Sequence, residues 1–239
     1  MLLGEELVLL LLDDEKGTWL VRRRAVPRGV RAAVLVELLA RRTVAVDDSG
    51  TLVAGLSGTT GGDQILERAA RDVVGKTVPE AILSPGGELK ALLTRLRDQG
   101  VLRRGTLRRR RHLARDHHHE SAVRARLLQT LSSSDSRPDR HTALLVALVH
   151  ELGLVELLFP GDQSRLLAQQ AAAITLQLRQ DRHYFPTGLE GGGRDGQDRN
   201  GRVLDGTGSV FDALQGVGDL LSLIFVPLRL LGRILDALP

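Results

Sequence analysis

The sequence contains no cysteine, which excludes disulfides, thiolate metal centres and a Cys nucleophile and fits a reducing compartment. Lysine is nearly missing too: Lys16, Lys76 and Lys90 are the only three among 33 basic residues. Aromatic residues make up 3% of the chain, too few for a surface that stacks on the bases of single-stranded nucleic acid. No uncharged apolar stretch approaches the roughly 20 residues that a membrane-spanning helix needs. The apolar run at the start is broken by Glu5 and Glu6, has no basic residues before it and stops at Asp13 and Asp14, so no signal peptide is expected. Nucleophile-elbow, P-loop and dinucleotide fingerprints are missing as well, and Gly191, Gly192 and Gly193 have no strand before them to make a phosphate cradle. An enzyme is therefore the least supported class, and neither a catalytic residue nor a cofactor is expected.

What is abundant is arginine. A guanidinium offers a planar fork of donors and sheds water more readily than an ammonium, so it favours bidentate contacts with phosphate. Lipid head groups and nucleic acid thus lead as partners. With 239 residues the chain can bury one sizeable core without staples. The arginine bias is also the mark of a GC-rich genome.

Apolar periodicity predicts mostly helices. A short buried helix is expected over 2–12 and an extended piece over 19–21. The helix over 30–41 places Val30, Val34, Leu35, Leu38 and Leu39 on one face, with Arg31, Arg41 and Arg42 off it. Residues 43–46 and 51–54 flank an Asp/Ser/Gly turn and predict a β-hairpin. Further helices are read over 63–74, 88–99, 120–131 and 164–180, and residues 143–149 form the most apolar, with Pro138 placed in its first turn. From residue 188 to 208 the composition turns to Gly, Asp, Arg and Asn, the profile of a linker. Beyond it, over 209–239, Leu214, Val217, Leu221, Ile224, Leu228, Leu231, Leu235 and Leu238 recur every three or four residues as one stripe of an amphipathic helix, which Pro227 kinks.

The run from Leu3 to Leu10 (LGEELVLL), the stretch from Gly29 to Leu38 (GVRAAVLVEL), the segment from Leu96 to Leu102 (LRDQGVL) and the stretch from Arg137 to Leu145 (RPDRHTALL) resemble, in order and spacing, the Golgi phosphoprotein 3 family. The resemblance covers roughly residues 1–180 and, with the arginine bias, indicates a bacterial member. It implies a mainly α fold, a helix bundle surrounded by amphipathic helices with small β-hairpins, over a domain of residues 1–187. It also implies a cytoplasmic, peripherally membrane-associated protein that binds anionic lipid head groups. Eukaryotic members of the family bind phosphatidylinositol 4-phosphate and help retain membrane proteins.

The family's head-group pocket uses one Trp and three Arg. On the motifs of this sequence Arg31 takes the place of the first Arg, and Arg137 and Arg140 take the others. Ungapped spacing puts Arg22 where the family has its Trp, while the single Trp of the chain is Trp19. The family's apolar hairpin, which dips into membrane and assists self-association, corresponds to Leu157, Leu158, Phe159 and Pro160.

The same residues have readings of their own. Arg137 and Arg140 are three apart at a helix start, where backbone N–H groups and the positive end of the helix dipole favour a phosphate; pairing with Asp135 and Asp139 on a solvated helix end is the bland alternative. Leu157 to Pro160 serve equally as an exposed wedge or as a loop folded onto the core. The arginines from Arg103 to Arg111 carry the densest positive charge. Following a helix, they outline a winged helix, so DNA binding is the main rival reading. No helix face with base-reading side chains supports that rival. His117, His118 and His119 are adjacent rather than spaced as metal ligands, so no metal site is expected.

Overall fold

The computed structural model describes residues 1–13, 17–47, 49–55, 60–84, 86–102, 118–133 and 138–180. The described residues form nine helices and one two-stranded antiparallel sheet, as the mainly α reading expects. The arginine-rich stretch 103–111, the Gly-rich linker and the C-terminal apolar stripe lie outside the described residues.

Helix α1 (Leu3–Leu10) is buried at every position, the pattern of a helix enclosed on all sides. Its backbone starts on two carboxylates: the Leu2 N–H donates to Glu5 at 2.8 Å and the Leu3 N–H to Glu37 at 2.8 Å. Helix α2 (Val26–Ala40) starts one turn before the predicted residue 30, with Pro27 in its first turn, where a missing N–H costs nothing. It is packed by α1 and by α3 (Gln64–Val73), α4 (Val78–Leu83) and α5 (Glu88–Asp98). The one-sided reading of α2 is corrected by this enclosure: Arg31 is 1% exposed.

Strands β1 (Val44–Val46) and β2 (Leu52–Ala54) pair in the register Val44 with Ala54 and Val46 with Leu52, and Asp47 closes the turn by accepting from the Ser49 and Thr51 N–H groups. The extended piece expected over 19–21 reduces to a bridge between Leu12 and Trp19. Asp63 caps α3 through the Ile65 and Leu66 N–H groups. Helix α4 is an element the apolar periodicity does not mark; Thr77 and Glu80 close a capping box at its start.

Helix α6 (His118–Ser132) and helix α7 (Arg140–Glu151) pack on the other side of α1. The N-cap of α7 is Asp139, so Pro138 precedes the helix and does not occupy its first turn. Helix α8 (Val155–Leu158) and helix α9 (Ser164–Gln180) complete this half, with α9 lying against α6, α7 and α8. The core runs continuously from α1 and α2 through Leu144, Leu145 and Val149 of α7 to Ala171 and Ile174 of α9.

Candidate functional site

Arginines gather where α2 ends and α7 begins. Helix α2 finishes in the double hydrogen-bond pattern of a left-handed cap: the Thr43 N–H donates to the Leu38 carbonyl and the Arg42 N–H to the Leu39 carbonyl, both at 3.0 Å. The residue in the left-handed conformation is Arg42, at φ 56°, the one described non-glycine residue with positive φ. Glycine is the residue ordinarily found at such a position. Behind it, Gly55 approaches so closely that a Cβ there would lie 2.0 Å from the Arg42 carbonyl oxygen. The sheet edge therefore holds the Arg42 backbone while its side chain reaches solvent.

Arg140 opens α7 directly after its N-cap. The Asp139 carboxylate accepts from the Thr142 N–H at 3.1 Å and from the Thr142 hydroxyl at 2.5 Å. Burial opposes ionisation of Asp139, but those bonds and the Arg126 charge outweigh it and hold the carboxyl below its usual range. The half-buried Arg140 guanidinium is held below the ordinary arginine range, first by burial and then by the neighbouring positive charge of Arg42. The positive charges of two guanidinium groups from separate elements thus act on one another, an arrangement that a nearby anion would favour.

Next to Arg140, His141 and Arg126 meet over one buried carboxylate. Glu6 Oε2 lies 2.6 Å from Arg126 Nη2 and 3.0 Å from His141 Nε2. Burial pushes the Glu6 carboxyl up, and the hydrogen bonds and charges of His141 and Arg126 more than reverse it, so its pKa stands below the usual value. This end of the molecule therefore carries Arg42, Arg126, Arg140 and His141 around Glu6 and Asp139. Arg137, three residues before Arg140, lies outside the described residues.

The other expected site residues are elsewhere. Arg31 turns inward: its Nε donates to the Ala81 carbonyl at 2.8 Å, and its two terminal nitrogens donate to Glu88 and Asp72. The head-group role expected of Arg31 is not what this geometry offers, because the fork of donors is already shared among α3, α4 and α5. Arg42 lies just past the end of α2, which runs about 14 Å onward from Arg31 to Ala40. Trp19, half-buried against the core, and the exposed Arg22 belong to the connection ahead of α2, at the opposite end of that helix from Arg42 and Arg140.

Of the apolar residues expected in an exposed hairpin, Leu158 and Phe159 are core residues, 2% and 9% exposed, and Leu157, 44% exposed, and Pro160 face outward. The segment is a helical turn, α8, pinned by Arg124, whose Nη1 donates to the Leu158 carbonyl at 2.8 Å. Arg42, Arg126, His141 and Glu6 are additions to the residues picked out from sequence. Arg42 had a faint signal, an Arg at the position after a helix end where Gly is ordinary; the others had none, since Glu6 is far from its partners in the chain.

The described residues define a mainly helical protein with one core, in which α1 and α2 are enclosed and Arg42 and Arg140 stand at helix ends. Residues 3–184 match the family model of Golgi phosphoprotein 3 (GPP34), and the chain belongs to that family. Compared with curated proteins one by one, the chain finds no match. No described helix is long and apolar enough to cross a membrane.

Proposed function

We propose that this protein is a peripheral membrane protein that binds anionic lipid head groups, with a phosphate received at the start of α7. The observation that carries the reading is the placing of Arg42 just past the end of α2 and of Arg140 at the start of α7, two guanidinium groups from different elements whose positive charges act on one another. Family membership supports it, since eukaryotic relatives recognise phosphatidylinositol 4-phosphate. In this chain the pocket differs from the family pattern, with Arg42 in the part expected of Arg31; Arg137, three residues before Arg140 in the chain, stays a candidate on its sequence position alone. Leu157 and Pro160 supply a small apolar contact, with self-association through the same turn as a further expectation. Retention of membrane proteins is the cellular role this binding would serve.

The test is sedimentation with vesicles of equal net charge that carry either phosphatidylinositol 4-phosphate or phosphatidylglycerol. Wild type should prefer the exposed phosphomonoester, and Arg140→Ala should remove that preference by about tenfold or more, the scale of one charge-assisted contact. Equal binding to both vesicles, or a preference indifferent to Arg140, would sink the reading.

A further inference from the structure

The connection between α1 and α2 presents an arginine cluster of its own. Arg22, Arg23 and Arg24 lie in a turn closed by the Ala25 N–H donating to the Arg22 carbonyl at 2.8 Å, and Arg28 follows in the first turn of α2. All four are exposed. None of them forms an ion pair among the described residues, and α2 has no acidic residue in its first turn. Among the described carboxylates nearest in the chain to this cluster and to Leu152, Asp13 and Glu151 are half-buried and Glu156 is exposed, against four exposed guanidinium groups.

The fold brings an apolar residue to the same end. Gly29, next after Arg28, packs against Leu152, the residue that caps the end of α7: a Cβ built on it would lie 3.7 Å from Leu152 Cδ1. Helix α8 begins three residues beyond Leu152 and turns out Leu157, while burying Leu158 and Phe159. Trp19, which is half-buried, precedes the arginines in the same connection. An exposed basic cluster, with an exposed leucine five residues beyond the Leu152 that packs on its Gly29 and a tryptophan just ahead of it in the chain, matches the layered chemistry of a bilayer surface, where phosphates lie above acyl chains. Double-stranded DNA would use the charge and leave the leucine without a role.

We propose that Arg22, Arg23, Arg24 and Arg28, together with Leu157, form a second membrane contact that engages the anionic phospholipid surface as a whole, distinct from the head-group site at Arg42 and Arg140. This rests on the membrane-binding reading but not on recognition of any one head group. The two contacts sit at opposite ends of the enclosed helix α2, a rod about 22 Å long, a separation that one bilayer surface can span. Two weak contacts joined rigidly multiply in effect, and neither needs to hold the protein alone.

The experiment compares the full chain with the Arg22→Gln/Arg23→Gln/Arg24→Gln/Arg28→Gln variant on phosphatidylcholine vesicles with and without phosphatidylglycerol, read by sedimentation and by the emission of Trp19. Each basic residue at an anionic surface contributes about fivefold to partitioning, so the variant should lose on the order of a hundredfold or more on phosphatidylglycerol vesicles. Replacement of the same four residues by Lys should retain binding within about threefold, since the surface reads charge and not geometry. The remaining preference for phosphatidylinositol 4-phosphate over phosphatidylglycerol at equal charge should survive in the Gln variant. The proposal is overturned by a Gln variant that partitions within about threefold of wild type, by a wild type that ignores phosphatidylglycerol at low salt, or by these arginines binding duplex DNA more tightly than vesicles. Failure of the head-group reading has another signature: no preference among equally charged vesicles, with the loss in the Gln variant still present.

Discussion

Arg31 of α2 and Glu88, the first residue of α5, form an ion pair inside the bundle, 1% and 8% exposed at their side chains. Asp72 completes the arrangement from a half-exposed position, and Gly86 closes over it, where a Cβ would fall 1.6 Å from Glu88 Oε2 and 2.7 Å from Arg31 Nη1. Three helices and the carbonyl of a fourth are joined through one side chain. A charge taken out of water in this way is stable only with its partners present.

Arg31→Met is therefore expected to cost about 3–5 kcal/mol in a urea melt, because Glu88 is left buried and uncompensated. Adding Glu88→Leu should recover at least ~2 kcal/mol of that loss, since two apolar side chains can occupy the space without desolvating a charge. Were Arg31 instead a head-group ligand, Arg31→Met would weaken vesicle binding with little loss of stability, so the two roles separate in one pair of measurements.

Arg42→Gly should change stability and binding in opposite directions. The left-handed backbone at φ 56° is strained for Arg and free for Gly, so the substitution is expected to stabilise by up to ~1 kcal/mol. The same change removes one of the two guanidinium groups whose positive charges act on one another at the start of α7. A raised melting midpoint with weaker binding to phosphatidylinositol 4-phosphate vesicles is the expected pair of results; a lowered midpoint would mean that the Arg42 side chain is needed for the fold.

How much of this the sequence disclosed depended on whether the signal was local. The Asp/Ser/Gly turn between β1 and β2 and the apolar spacing over 63–74 and 88–99 are read within a few residues, and each element follows as expected. Helix α4 carries a local signature in Thr77 and Glu80, but six residues are too few for apolar periodicity to mark. The fate of Arg31 could not be read from α2 alone, since Asp72 and Glu88 arrive from other helices. Arg140 was placed correctly at a helix start, whereas its neighbour Arg42 is a long-range product of packing.

Acid should weaken the fold through Glu6. Its carboxyl titrates below the usual value of 4.5 because His141 and Arg126 outweigh its burial. A depressed folded-state pKa contributes stability that is fully present above the unfolded value and is lost as pH falls through the folded one. Stability measured from pH 6 downward should hold until about the unfolded carboxylate range, near 4.3, and decline below it. Glu6→Gln should flatten part of that decline while lowering stability at neutral pH, where Arg126 loses its charged partner; an unchanged acid limb would place the titration elsewhere, in Asp63, Asp72 and Asp139, whose carboxyls are lowered likewise.

The turn at α8 divides structural from surface roles between residues two apart. Phe159 is part of the core beside α9, so Phe159→Ala should cost about 3 kcal/mol in a chemical melt through the lost ring and the cavity it leaves. Leu157 is 44% exposed, and Leu157→Ser should fall within about 0.5 kcal/mol of wild type. If the turn meets a bilayer, the order reverses on vesicles: Leu157→Ser lowers partitioning at high salt, where screening leaves the apolar part of binding dominant, and folded Phe159→Ala protein binds as before. Leu157→Ser that destabilises as strongly as Phe159→Ala would make the turn a packing element alone, and the membrane contact would then rest on the arginines.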